Sequence, residues 1–263
     1  YDKDIRIHFT APNYALEDDD IDESKKKSSV FQKNFRNAIG RFESKSLFSQ
    51  VTFKTGGRDF LYEPYAVFYH YSVLERGIDL GKDQAGKTYL VFDMGGSTTD
   101  VSIVQVNPQE TDFRLYPICR SIERAGAYFD RYVLGDLLGY GQAVRRDAKK
   151  WNSTLQQIEQ AKIALCEGES DREEIQIEDG YCELTREKLG ALLRELWKND
   201  NLRLGQSFRG FIGDVRARVK RRGQLLDFDK IEKVFLAGGS IGLPGIEDLI
   251  REDLDRLGLL GDD

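Results

Sequence analysis

Hydrophobic and polar residues change their period several times along this chain, and each change marks an element. Ile5-Arg6-Ile7-His8-Phe9-Thr10 alternates, which predicts a strand stopped by Pro12. Phe31, Phe35, Ala38, Ile39 and Phe42 recur at helical spacing and predict one apolar helix face within 30–42. Val51 to Lys54 reads as a short strand, and Pro64 heads an apolar helix over 65–74, where a first-turn proline is tolerated. Tyr89-Leu90-Val91-Phe92 and Val101-Ser102-Ile103-Val104 flank a glycine turn and predict strand, tight turn, strand. An irregular strand follows near 114–116, then helices over about 127–138 and 155–165. Ile175 to Ile177 and Tyr181 to Leu184 predict a small hairpin turning at Asp179-Gly180. Thr185 caps a long helix through Trp197, and another helix covers 208–222. Val234 to Ala237 predicts a last strand, which runs through Gly238-Gly239-Ser240 into a helix over 246–257. The whole reads as an α/β chain without internal repeats.

Composition narrows the class. The chain has 263 residues, 40% hydrophobic and 32% charged, which suits a globular fold with a substantial core. A net charge of −6 argues against nucleic acid as the main partner. No apolar run approaches the ~20 residues that span a bilayer. Three cysteines (Cys119, Cys166, Cys182) and two histidines (His8, His70) lack metal-site spacing and suit a reducing, cytoplasmic setting. The chain opens Tyr1-Asp2-Lys3-Asp4, without an initiator Met or a signal peptide, and is expected to be a piece of a longer protein.

The chemistry concentrates in Asp93-Met94-Gly95-Gly96-Ser97-Thr98-Thr99-Asp100. Glycines let backbone amides approach an anion, and successive amides form an anion-binding nest. Three hydroxyls add donors. A carboxylate at each end of the turn suits a hydrated Mg²⁺, which prefers oxygen ligands. An ordinary hairpin with a Gly-Gly turn is the competing reading. Residues 81–88, Gly-Lys-Asp-Gln-Ala-Gly-Lys-Thr, match the P-loop pattern letter for letter. That pattern needs a strand before and a helix after, so that the helix N-terminus meets the phosphate. Here a helix precedes and a strand follows, so the match is read as a surface loop.

The chain thus holds two strand-ending glycine turns, at 95–97 and 238–240. In this order they resemble the second phosphate motif and the adenosine motif of the actin, sugar-kinase and heat-shock-chaperone ATPase superfamily. Within it, the nucleotide-binding domain of DnaK-type chaperones is the most similar. Thr10-Ala11-Pro12 resembles that family's proline switch. Leu61-Tyr62-Glu63-Pro64 resembles its Glu-Pro segment, Glu159-Gln160-Ala161-Lys162 its Glu-x-x-Lys helix, and Thr185-Arg186-Glu187-Lys188-Leu189 the start of its next long helix. The resemblance implies an actin-like (ribonuclease H-like) ATPase fold and ATP or ADP with Mg²⁺. It gives Asp93 a water-mediated hold on Mg²⁺, with Asp100 in the same shell. Gly95, Gly96, Ser97, Thr98 and Thr99 cradle the β/γ-phosphates, Thr98 nearest the γ-phosphate. Glu63 orients the attacking water, Gly238, Gly239 and Ser240 line the adenosine, and Glu159 and Lys162 reach the ribose. Phosphoryl transfer by positioning and charge neutralisation suits these residue types.

Departures narrow the expectation. The family's two base-flanking arginines are here Ile163 and Gly242, and its first phosphate motif and phosphate-contacting lysine have no counterpart. The expected layout is a partial first lobe over 1–80 and a second lobe over 81–263. In the second lobe, 88–130 and 229–263 form the core, and a mobile helical subdomain covers about 131–228. The expected function is an ATP-binding, ATP-hydrolysing chaperone-like switch with protein clients or regulatory partners. Nucleotide binding by this piece is expected to be weak, with negligible turnover. A non-hydrolysing nucleotide-sensing scaffold of the actin-like cell-division or pilus-assembly type, or a sugar or acid kinase, are the alternatives. Lys87→Ala should leave nucleotide affinity nearly unchanged in calorimetry, whereas Asp93→Ala should abolish Mg²⁺-dependent binding; the reverse pattern would restore the P-loop.

Overall fold

A computed structural model describes residues 9–11, 60–62, 66–68, 70–71, 86–106, 113–138, 148–177, 180–199, 204–222, 228 and 230–260. The expected helix over 30–42, the strand at 51–54, Pro12 and the Glu63-Pro64 segment lie outside these residues. Two short strands, β1 (Phe9–Ala11) and β2 (Phe60–Tyr62), pair in parallel. Ala66–Phe68 is helical, inside the expected 65–74 segment.

The central sheet has four strands: β3 (Thr88–Met94), β4 (Thr99–Val106), β5 (Phe113–Ile122) and β8 (Lys233–Ala237), in the order β5-β4-β3-β8. The first three form an antiparallel meander, and β8 lies parallel to β3. A parallel neighbour needs a crossover. Here every intervening helix lies within that crossover. Between β5 and β8 run α1 (Gly126–Leu138), α2 (Ala148–Glu167), the hairpin β6 (Arg172–Ile177) and β7 (Gly180–Thr185), α3 (Arg186–Lys198) and α4 (Leu204–Arg222). Helix α5 (Ile246–Arg256) follows β8.

Strand β3 reads as a continuous apolar run because both its faces are covered. On one face Phe92 meets Trp197 and Phe208, with ring centroids 6.1 and 5.9 Å away. On the other, Tyr89 and Phe235 pack with Phe68 at 5.1 and 5.6 Å. The strand ends are therefore held from both sides. Among the described residues the order of elements follows the sequence expectation, and several bounds differ: α4 starts at Leu204 rather than 208, and β5 extends well beyond 114–116. Helix α2 starts at Ala148, seven residues before the periodic stretch at 155–165. Gly180 pairs with Ile177 as the first residue of β7 rather than sitting in the turn.

Local capping explains where α3 begins. The Thr185 hydroxyl accepts from the Lys188 amide at 3.2 Å, an N-cap of the expected kind. The Arg186 guanidinium donates to the Leu165 carbonyl at 2.7 Å and so closes the C-terminal end of α2. Buried Asp253 on α5 accepts from the Trp197 indole at 2.9 Å and from Arg209 at 3.0 Å, tying α3 and α4 to α5. The residues after the P-loop-like stretch enter β3, with no helix, and Lys87 pairs with Glu232 at 3.3 Å. No helix among the described residues is long and apolar enough to cross a membrane.

Candidate functional site

Strand β3 delivers Asp93 to the C-terminal edge of the sheet, and the antiparallel register sets Asp100 of β4 directly opposite. Parallel β8 ends at the same edge, with Ala237 facing Asp93. Both glycine turns therefore leave the sheet side by side, although 140 residues separate them in sequence.

Hydrogen bonds lock the two turns together. The Gly95 amide donates to the Thr98 carbonyl at 2.9 Å and closes the first turn. The Ser240 amide donates to the Met94 carbonyl at 3.0 Å, and the Ser240 hydroxyl to the Gly95 carbonyl at 3.1 Å. The first amides of α1 complete the joint: Gly126 donates to the Gly95 carbonyl at 3.0 Å and Ala127 to the Gly96 carbonyl at 2.7 Å. Helix N-termini carry spare donors, and here the turn takes them. Gly238 sits at φ 90°, and a Cβ there would come within 2.4 Å of the Met94 carbonyl and 2.5 Å of the Asp93 carboxylate. Any side chain would push the turns apart.

This joint fixes where the remaining donors point. A trans peptide sets C=O and the following N–H on opposite sides, and no peptide among the described residues is cis. With the Gly95 and Gly96 carbonyls turned to α1, the Gly96 and Ser97 amides face the other way. Among the described residues, the amides of Gly96, Ser97 and Thr98 donate to no protein acceptor. That leaves a run of open N–H groups on the exposed lip of the sheet, the arrangement that binds an oxyanion.

The acidic pair lies beneath this lip. The Thr98 hydroxyl donates to Asp100 Oδ2 at 2.9 Å and fixes that carboxylate. Burial, and then the neighbouring Asp100 charge, push Asp93 above its ordinary value of 3.8. Neither carboxylate has a lysine or arginine partner among the described residues. Thr99 is expected among the cradle residues, but its side chain is buried and its hydroxyl donates to the Arg124 carbonyl at 2.8 Å. Thr99 thus anchors the turn to the loop before α1 instead of offering a donor.

On the far side, Lys162 of α2 is buried and donates to Asp130 Oδ1 of α1 at 2.7 Å. Its ammonium lies 3.4 Å from where a Gly126 Cβ would be, so it borders the joint. Burial pushes the Asp130 carboxyl above its ordinary value against the pull of Lys162, and Glu159, exposed on the same helix as Lys162, adds to the rise. Gly239 is exposed beside Gly238. Glu63 lies outside the described residues. Sequence reasoning missed Asp130 and Gly126, because their role rests on contacts between separate helices that no periodicity encodes.

A family model described as Hsp70 protein matches residues 73–257. The chain belongs to the Hsp70 family. The Hsp70 match runs from the segment before β3 to the end of α5 and so includes both turns, the acidic pair and Lys162. The chain is 30% identical over 194 residues to the chaperone protein DnaK of Trichormus variabilis, across 68% of this chain and 25% of that relative. The same figures hold for the chaperone protein dnaK1 of a Nostoc species. The chain spans about a quarter of the length of these curated relatives. Membership implies an Hsp70-type nucleotide-binding domain with the actin-like ATPase fold, which accords with the mixed sheet.

The raised Asp93 pKa has a defined consequence for stability. A carboxyl whose folded pKa is raised binds its proton more tightly when folded, so the fold loses stability as pH rises from 3.8 through that raised value. Asp93→Asn should therefore raise the chemical-denaturation midpoint of the ligand-free protein at pH 7. The gain should vanish below pH 3.8, where both states carry a neutral Asp93. A gain that does not depend on pH would show that charge burial is not the cause.

Proposed function

We propose that this chain is the nucleotide grip of an Hsp70-type chaperone switch, binding ATP and ADP with Mg²⁺ and taking part in ATP hydrolysis. The observation that carries the reading is the run of Gly96, Ser97 and Thr98 amides above two carboxylates, both without a lysine or arginine partner among the described residues. Open amides suit phosphate oxygens, and the carboxylate pair suits a hard divalent cation. Among the described residues there is no cluster of three or more His, Cys, Asp or Glu side chains. A cation held here would keep most of its shell as water, as Mg²⁺ does.

Each residue then has a task. Gly96, Ser97 and Thr98 donate amides to the β/γ-phosphates, and the Thr98 hydroxyl holds Asp100 in place for the cation. Asp93 holds the cation's water shell from β3. A bound Mg²⁺ supplies neutralisation of phosphate charge. Gly238, Gly239 and Ser240 line the nucleoside side, with Glu159 and Lys162 toward the sugar. Glu63 orients the attacking water. Ile163 is 45% exposed and Gly242 offers no side chain, so no cation flanks the base from these two positions, which supports weak base recognition. Residues 81–263 act as the second lobe and 1–80 belong to the first. Closure of the lobes on nucleotide is the signal passed to protein clients or regulatory partners in the cytoplasm.

Titration with a fluorescent ADP analogue tests this reading. Binding should be weaker than about 1 µM. Chelation with EDTA should lower affinity about tenfold or more, and Asp100→Asn should lose that Mg²⁺ dependence. Equal affinity with and without the metal would remove the acidic pair from the site.

A further inference from the structure

Three polar groups from distant parts of the chain converge on the Cα of Gly126. A Cβ there would lie 2.6 Å from the Ser240 hydroxyl, 3.3 Å from the Gly95 carbonyl and 3.4 Å from the Lys162 ammonium. The first two belong to the joint between the turns. The third has no place in that joint. Lys162 is 7% exposed, and its 2.7 Å contact with Asp130 is that of an ion pair buried on both sides.

An ammonium carries three N–H donors. Among the described residues Asp130 takes one, and no other protein acceptor takes the remaining two. The other two can serve an acceptor on a bound molecule. Their position, at the border of the two glycine turns, lets such a molecule meet them. Charge narrows its chemistry. A carboxylate 2.7 Å away already balances the ammonium, so little net charge remains to draw a phosphate. A neutral hydroxyl oxygen is the better match.

The pair also has a fixed origin. Asp130 lies four residues after Gly126 on α1, one helical turn away and on the same face. Gly126 is bonded directly to the first glycine turn. Helix α1 therefore sets the Asp130 carboxylate relative to that turn, and Asp130 sets the ammonium that α2 brings in.

We propose that Asp130 is a positioning residue for nucleotide recognition: it holds the Lys162 ammonium beside Gly126 and Ser240, where the ammonium donates to a sugar hydroxyl of the bound nucleotide. The proposal rests on the nucleotide-site reading above. Without the carboxylate, the ammonium is free to leave the joint for solvent or phosphate, and selection for the sugar is lost.

Binding of ADP and of 2′,3′-dideoxy-ADP, each with Mg²⁺, decides the matter by calorimetry. The unmodified chain should prefer ADP by about tenfold. In Asp130→Asn that preference should fall below about threefold, and Asp130→Glu should restore most of it. Lys162→Gln should lose the preference in the same way, which serves if Asp130→Asn does not fold. Adding Lys162→Gln to Asp130→Asn should cost no further preference, since both act through one contact. If Asp130→Asn weakens both ligands equally and keeps the preference, Asp130 only clamps α1 to α2 and the proposal is wrong. An unmodified chain that binds both ligands equally overturns it too. No binding of either ligand would remove the nucleotide-site reading itself, and the proposal with it.

Discussion

The arrangement at the sheet edge depends on three carbonyls, those of Met94, Gly95 and Gly96. Ser240 and the first two amides of α1 converge on them. Because C=O and the next N–H point opposite ways across a trans peptide, fixing these carbonyls fixes the amides of the turn. The chain thus spends its acceptors inward and leaves donors outward. The anion site proposed here would be a by-product of how the two turns are joined, and Gly238 is the position at which that joint requires a glycine. Gly238 shows the tolerance: the Asp93 carboxylate and the Met94 carbonyl occupy the space a side chain would need.

Rigidity behind the joint comes from β3, which is buried on both faces. Phe92 faces Trp197 and Phe208, while Tyr89 and Phe235 face Phe68. Aromatic packing of this kind holds the strand from both faces. Asp93 is then held half-buried next to Asp100, where burial first and the Asp100 charge second raise its pKa, and a cation would oppose that rise.

Much of this was legible in the sequence, for local reasons. The apolar runs at 89–92 and 101–104 and the turn between them need only period and glycine chemistry. The Thr185 cap is likewise a near-neighbour effect. The rejection of the P-loop match followed from element order, and β3 does follow Lys87 directly. What stayed hidden is long-range. The Ser240 hydroxyl reaches across 145 positions to Gly95, and Lys162 chooses Asp130, 32 positions away, over its own-helix neighbour Glu159. Thr99 shows the same limit: a hydroxyl in a run of hydroxyls looks like a ligand donor until the fold turns it to the Arg124 carbonyl. Spacing names the residues, and packing decides which way each one faces.

The central claim is that the outward amides of the first glycine turn receive the phosphates of a nucleotide. Amide-resolved NMR during a titration with Mg²⁺ and ADP tests it most directly. The amides of Gly96, Ser97 and Thr98 should show the largest shifts, followed by those of Gly238, Gly239 and Ser240 on the joined turn. Shifts centred on residues 81–88, with the turn at 95–98 unmoved, would contradict the account.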